Sequence, residues 1–436
     1  MTAPKSSREG MASLRVERAL RLLPDLEALT PLRALLVATS RADAGAQWAS
    51  SGPYLTLGKR AVEPAQLRRQ LDGVLEQITE HLSVLYHAYI DALEALSVGD
   101  TAPAVAALLR AGRSEEGPGR WSQARVWYEV ALKLADELQD RRPEIEILGA
   151  LGRLARTQGH FQQGARYFQR CLALAEAEFD QSGVAEACAG LGSLAAAQGQ
   201  WGGARSWYKR GLTAAQAARD LKRTGHLYHR LASVDHHEGD DVAALEHLQE
   251  ARRSVESIQD AEGLARVLAA QGDVESEQGH ADSAALSYRE GLAWARRGAA
   301  PAVECAILIR LAEFHMKADR FHEAEEELRR AEQAAIAHSL SRRLVQVYTL
   351  MGRLRGRQKD ETGFVFFEQA IELCRVTERA PSAEGRLYRE YGNFRSILGS
   401  PDEARAYLEK ARAIFESLGE TGELEGVEAD LEKIGG

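Results

Sequence analysis

The stretch LGRLARTQGHFQQGARYFQRCLALAEAEFD, residues 151–180, and the stretch LGSLAAAQGQWGGARSWYKRGLTAAQAARD, residues 191–220, decide how this chain is read. They superimpose without a gap at an offset of forty residues: Leu151-Gly152 over Leu191-Gly192, Gly159 over Gly199, Phe168 over Tyr208, Asp180 over Asp220. Moving outward, the same pair position is filled by Ala111-Gly112, Leu231-Ala232, Gln271-Gly272, Leu311-Ala312, Met351-Gly352 and Tyr391-Gly392. A fixed period of this size marks a repeat array rather than one globular core.

A second series lies about twelve residues further on: Ala124, Gly164, Ala204, Ala244, Ala284, Ala324, Gly363 and Ala404. Four residues later each is followed by a large side chain, namely Tyr128, Phe168, Tyr208, Leu248, Tyr288, Leu328, Phe367 and Leu408. Three more residues bring another small one, from Ala131 and Cys171 through to Ala411. Spacings of four and three place all of these on one helical face. Small residues let a neighbouring helix approach, and the large residue one turn on fills the gap beside it. Each unit is thus a helical hairpin. Gly159, Gly199, Gly239, Gly279 and Gly399, with Asp319 and Lys359 at the same register and Gly119 in the first unit, mark the turns inside the hairpins. Asp140, Asp180, Asp220 and Asp260 recur between hairpins, placed to cap the next helix or close the loop. The seventh unit departs from the rule: Gly363 stands one residue early, which predicts a shortened turn around Lys359 and a local kink.

Length and composition agree. A chain of 436 residues with 45% hydrophobic residues exceeds one compact core. Eleven prolines and 6% aromatics suit closely packed helices. The net charge of -9 comes from intermixed acids and bases, so no basic face for general nucleic-acid binding is expected. The four cysteines, Cys171, Cys188, Cys305 and Cys374, form no CxxC pair and read as small buried thiols. No signal peptide or span of about 18 apolar residues is visible, so a cytoplasmic protein without membrane contact is expected.

The Leu-Gly pair on the first helix and the Ala, aromatic, Ala series on the second resemble the tetratricopeptide repeat. The forty-residue unit is similar to repeats of bacterial maltose-activator-type regulators and of animal scaffolds that orient spindles. The expected fold is all-α, a right-handed superhelical solenoid of antiparallel helical hairpins. Residues 1–10 are expected to form a disordered tail, 11–102 an N-terminal helical cap or partner module, 103–418 eight repeats, and 419–436 a C-terminal capping helix. Leu14 to Thr39 and Gln66 to Leu96 are expected helices, and Ala44 to Glu63, with Trp48, Pro53 and Tyr54, an irregular loop.

The resemblance implies that first helices line a concave groove and that their outward residues select a protein or peptide partner. Those residues are Arg113, Arg153 and Arg156 in the first two repeats, then His226, His229, Ser233 and His237 in the fourth. Asp273 and Glu277 follow in the fifth and Glu313 in the sixth; the last two add Arg353, Arg357, Arg386, Arg389 and Asn393. The arginines at the C-terminal end are suited to carboxylates or phosphates of an acidic peptide segment. The groove is expected to be banded: basic, histidine-rich, mostly acidic, then basic.

His226 and His229 are one turn apart, so geometry allows a shared ion, but His236 and His237 lie about 10 Å further along the axis and no HExxH base accompanies them. Neither a metal nor another cofactor is expected. No GxxxxGK[ST], GxGxxG or GxSxG motif occurs, so a non-enzymatic interaction scaffold is the leading expectation. The alternative is a sensor in which a peptide or small ligand changes the curvature of the array. Self-association is assigned to the N-terminal region.

Overall fold

The computed structural model describes residues 80–116, 120–377 and 381–435, all of whose regular structure is helical. The expected helix over Leu14 to Thr39, the loop over Ala44 to Glu63, the N-terminal tail and Gly119 lie outside the described residues. The chain divides into two compact units, the first ending at Leu194 and the second beginning at Ala195.

The first unit contains α1 (Glu80–Val98), α2 (Thr101–Ser114), α3 (Trp121–Ala135), α4 (Arg142–Thr157), α5 (Phe161–Ala177) and most of α6 (Gln181–Ala197). Here α1 packs on α2, α2 on α3, and α4 on α5. Tyr89, Ile90 and Leu93 of α1 are fully buried in the same core as Trp127 and Tyr128 of α3. Tyr89 and Trp127 meet edge to face, with ring centroids 6.3 Å apart.

The second unit holds α7 (Trp201–Ala217), α8 (Leu221–His237), α9 (Asp241–Ser257), α10 (Ala261–Glu277), α11 (Ala281–Arg297), α12 (Pro301–Lys317) and α13 (Phe321–Ala337). It continues with α14 (Ser341–Arg357), α15 (Gly363–Thr377), α16 (Pro381–Ile397), α17 (Pro401–Leu418) and α18 (Thr421–Gly435). The hairpins are α8 with α9, α10 with α11, α12 with α13, α14 with α15, and α16 with α17; α18 then packs on α17.

The small residues act as seats for rings. A Cβ added to Gly152 would lie 2.7 Å from the Phe168 ring, and one added to Gly352 would lie 2.5 Å from the Phe367 ring. Both rings are fully buried. In these hairpins the second-helix aromatic lies directly over the first-helix glycine, so the ring itself, rather than the neighbouring backbone, takes the space the missing side chain leaves. On the second helix the small residue does admit backbone: a Cβ on Gly164 would lie 3.3 Å from the Gly152 carbonyl oxygen.

The turns follow the helix-end chemistry the sequence announces. At Gly199 (φ 73°) the chain turns left-handed, and Gln200 N–H donates back to the Ala195 carbonyl at 2.9 Å, satisfying a terminal helix acceptor. Turns between hairpins do the same without glycine: Arg219, Gln259, Ala299 and Ser339 all have φ near +50°. Asp220 and Asp260 each accept from a backbone N–H three residues on, at 2.9 Å. Asp140 and Asp180 accept from an N–H two residues on, at 3.0 Å.

Near Lys359 the structure differs from the sequence expectation. Lys359 keeps the positive φ (55°) of the other turns, so the turn is not shortened. Instead Asp360 accepts from the Thr362 N–H (2.9 Å) and hydroxyl (2.8 Å), and α15 opens with bonds from Gly363, Phe364 and Val365 to carbonyls three residues back. That winding takes fewer residues per turn than an α-helix, and it absorbs the missing residue at the start of α15.

Candidate functional groove

Within the second unit a cavity of about 610 Å³ is walled by successive first helices. The pairs Asp273/Glu277, Glu313/Lys317, Arg353/Arg357 and Asn393/Ile397 each stand four residues apart, so α10, α12, α14 and α16 each present one face to it. Phe314, Met316, Leu350 and Phe394 supply apolar surface between the charges. Asp273, Glu277, Glu313 and Glu390 are matched in number by Arg310, Lys317, Arg353 and Arg357. The groove is thus close to neutral and favours a ligand of mixed charge over a polyanion.

Most of these charges are engaged. Asp273 accepts from the Tyr288 hydroxyl at 2.8 Å and pairs with Arg310. Burial pushes the Asp273 carboxyl above its ordinary range, and Arg310 opposes that shift. Burial and the same carboxylate also push the Tyr288 hydroxyl well upward. His236 joins Asp241 (2.7 Å) to Glu277 (3.4 Å), and Lys317 stands 3.8 Å from Glu277. Arg357 donates to the Met316 carbonyl (2.5 Å) and Asp319 (2.8 Å), while Arg353 approaches Glu390 only at 3.8 Å.

Glu313 is the exception. It has no hydrogen bond or ion pair among the described residues. Burial raises its pKa, Arg353 works against that, and the Asp273 charge adds to it. A half-buried carboxylate with no such partner, under the opposed charges of Arg353 and Asp273, is an anion the groove leaves open to a ligand.

The cavity therefore gathers Asp273, Glu277, Glu313, Arg353, Arg357 and Asn393 from the sequence candidates. It leaves out others. Arg113 pairs with Glu146, and Arg153 with Glu186 at 2.5 Å, all in the first unit, which also holds Arg156. Arg386 and Arg389 turn to α18: Arg386 meets Glu423 at 3.2 Å, and Arg389 meets Asp430 at 2.7 Å. Asn393 also donates to Asp430, at 3.2 Å. Burial works to raise the Asp430 carboxyl, but the hydrogen bonds from Arg389, Lys433 and Asn393 outweigh it and hold the group low.

On α8, His237 packs against Trp201 with centroids 3.8 Å apart, and the Ser233 hydroxyl donates to the His229 carbonyl. Arg230 Nε donates to His226 at 3.3 Å. His229 is half-buried; burial first, then Arg230, His226, Arg310 and Arg266, push its pKa down to about 3. Among the described residues no group of three or more His, Cys, Asp or Glu is gathered to hold a metal ion.

Sequence reading missed Arg310, Tyr288 and Glu390. Arg310 lies one turn before Glu313, and that spacing is a usable signal. Tyr288 reads as a core filler at its register, where the choice of Tyr over Phe marks a hydroxyl that emerges at the groove.

Solved structures place the fold in its class. A Rap protein complexed with Competence and Sporulation Factor is 14% identical; the match covers 94% of this chain and 99% of that one, with a TM-score of 0.53. The apo form of the quorum sensor NprR from B. thuringiensis is 15% identical over 80% of this chain and 99% of that one, with a TM-score of 0.50. No family model matches the sequence, and no curated protein matches it. The architecture is an all-helical solenoid of tetratricopeptide type. No helix among the described residues is long and apolar enough to cross a membrane.

Proposed function

We propose that this chain is a binding protein that holds a peptide or an extended protein segment in the groove of its second unit. One observation carries the reading: a cavity of about 610 Å³, built by four successive first helices, with balanced charge and apolar surface between the charges. It is large enough for a stretch of several residues. In this reading Glu313 receives a cationic group of the ligand, and Arg353 and Lys317 receive carboxylates. The role is binding, with no reaction, cofactor, nucleic acid or membrane assigned, and a cytoplasmic location is part of the same reading. So are the forty-residue unit with its likeness to maltose-activator-type regulators, the assignment of residues 11–102 as cap or partner module, and self-association through that region.

A second reading is favoured by a specific observation. Two structures that share the fold are a Rap protein complexed with Competence and Sporulation Factor and a quorum sensor. By analogy, the groove ligand is a short signal whose arrival changes the packing of neighbouring hairpins. Both readings need the groove, and they differ in whether the ligand is itself the partner.

The test compares wild type with Glu313→Lys and Arg353→Glu variants in co-purification from the source organism, with mass spectrometry of bound proteins and peptides. A component lost from both variants supports groove binding, and its size separates scaffold from sensor. Retention of every component by both variants sinks the proposal. Arg386 and Arg389 are unsuitable for this purpose, because reversing them also breaks their bonds to Glu423 and Asp430 of α18.

A further inference from the structure

Glu313 and His315 stand two residues apart on α12, and side chains so spaced leave a helix on nearly opposite sides. His315 accordingly lines a second cavity, away from the groove, of about 330 Å³. Its walls carry Arg289 and Arg296 of α11, Arg320 of the α12–α13 turn, and Glu327 and Arg330 of α13, with alanines and leucines between them. Four guanidinium groups thus share the space with one carboxylate.

Two of the four are already engaged. Arg330 reaches both oxygens of Glu327, at 2.9 and 2.8 Å, and Arg296 is bonded to Glu304 at 2.7 Å. Arg289 and Arg320 have no ion-pair partner among the described residues. Arg320 lies 5.1 Å from the centroid of the Phe314 ring, which steadies the guanidinium while leaving its N–H donors unclaimed. The Nδ1 atom of His315 is shielded from solvent and has no hydrogen-bond partner. Folded proteins leave few such atoms. Burial first, then Arg320, lowers the pKa of this ring, and the Glu323 charge opposes them, so the imidazole stands in the cavity wall as a neutral neighbour of the guanidinium groups.

We propose that this cavity binds a phosphate dianion, free or as the terminal group of a small phosphate monoester. A tetrahedral dianion accepts donors from several directions at once, which suits two unengaged guanidinium forks. A carboxylate would be satisfied by one fork and would leave the other donors unpaired. The volume lies at the lower end of the range for ligand sites, roughly 300–1,000 Å³, which limits the rest of the molecule to a few heavy atoms.

The test is calorimetric titration of the full chain in chloride buffer with inorganic phosphate and, separately, with O-phosphoserine, while ring nitrogen NMR follows His315. Saturable binding at one site with a shift of the His315 resonances is expected. The Arg289→Gln/Arg320→Gln pair should weaken it at least tenfold, and Glu313→Gln in the groove should leave it unchanged. Tighter binding of O-phosphoserine assigns a monoester as the ligand; equal binding assigns free phosphate. If the double variant does not fold, Arg289→Lys, which keeps the charge but loses the fork, should weaken binding at least threefold. Absence of saturable binding, or equal affinity in the folded arginine variant, overturns the proposal.

Discussion

Arg153 in the first unit and Glu313 in the second stand at the same register of their helices, each one residue after the small residue of its pair. Arg153 is bonded to Glu186 of α6, and Arg113, at the same register again, is paired with Glu146 of α4. Glu313 has no such partner among the described residues, and Arg353, the opposite charge that acts on it most strongly, leans toward Glu390. Register therefore decides which face a charge occupies. Whether that charge is available to a ligand depends on what the next first helix places beside it.

The first way to probe the comparison is to ask whether the two units share one packing rule. Phe168→Ala and Phe367→Ala should each cost about 4 kcal/mol, because each empties a fully buried seat over a glycine. Chemical denaturation measures this, and a loss below about 1 kcal/mol in either unit would show that its seat collapses readily.

A smaller effect is expected from the glycines. Gly352→Ala gains about 1 kcal/mol of helix propensity but drives a Cβ to 2.5 Å from the Phe367 ring. Overpacking costs about 1–3 kcal/mol, so a net loss of about 1 kcal/mol is expected. Gly202→Ala meets no atom within 4 Å and should stabilise by about 0.5 kcal/mol. Opposite signs in thermal unfolding are the outcome to look for.

The direct contrast comes next. Glu186→Gln should destabilise by at most about 1 kcal/mol, since the Arg153 pair is partly exposed. Glu313→Gln removes no partner and should leave stability unchanged or slightly higher near neutral pH. The sign follows from its raised pKa: the folded chain binds a proton more readily than the unfolded one, so stability falls as pH rises through the folded value. The difference between variant and wild type should therefore vanish in acid, below both values. A clear destabilisation by Glu313→Gln at neutral pH would mean that the carboxylate is paired after all.

The smallest signal is spectroscopic. With a folded pKa of about 3, His229 should stay neutral in NMR titrations down to about pH 4. Because the unfolded chain takes up that proton near pH 6.5, His229 removes stability progressively as pH falls from about 6.5 toward 3. His229→Gln should flatten that limb of the acid-unfolding curve.

Much of the architecture was legible in the residues. The Leu-Gly pairs, the ring four residues after the small residue and the glycine turns each impose a local geometry, and each appears where the spacing put it. Legibility was weaker where a missing residue could be absorbed in two ways: near Lys359 it is the opening of α15 that changes, because Asp360 can hold Thr362 in a tighter turn. It did not extend to the pairing of Arg386 and Arg389, which read as ligand contacts and are bonded to Glu423 and Asp430. That pairing joins residues some forty positions apart, and no local pattern announces it.

The sequence by itself determined that the chain is built of helical hairpins, which face of each helix is buried, and where the turns fall. Those properties follow from helical periodicity and from the left-handed conformations that end helices, both of which act over a few residues. Only the tertiary structure decided which outward charges are cancelled by a neighbouring helix, which rings present a hydroxyl to the groove, and that Glu313 has no partner among the described residues. Such outcomes depend on distances between side chains from separate hairpins, set by how closely small residues let those helices approach.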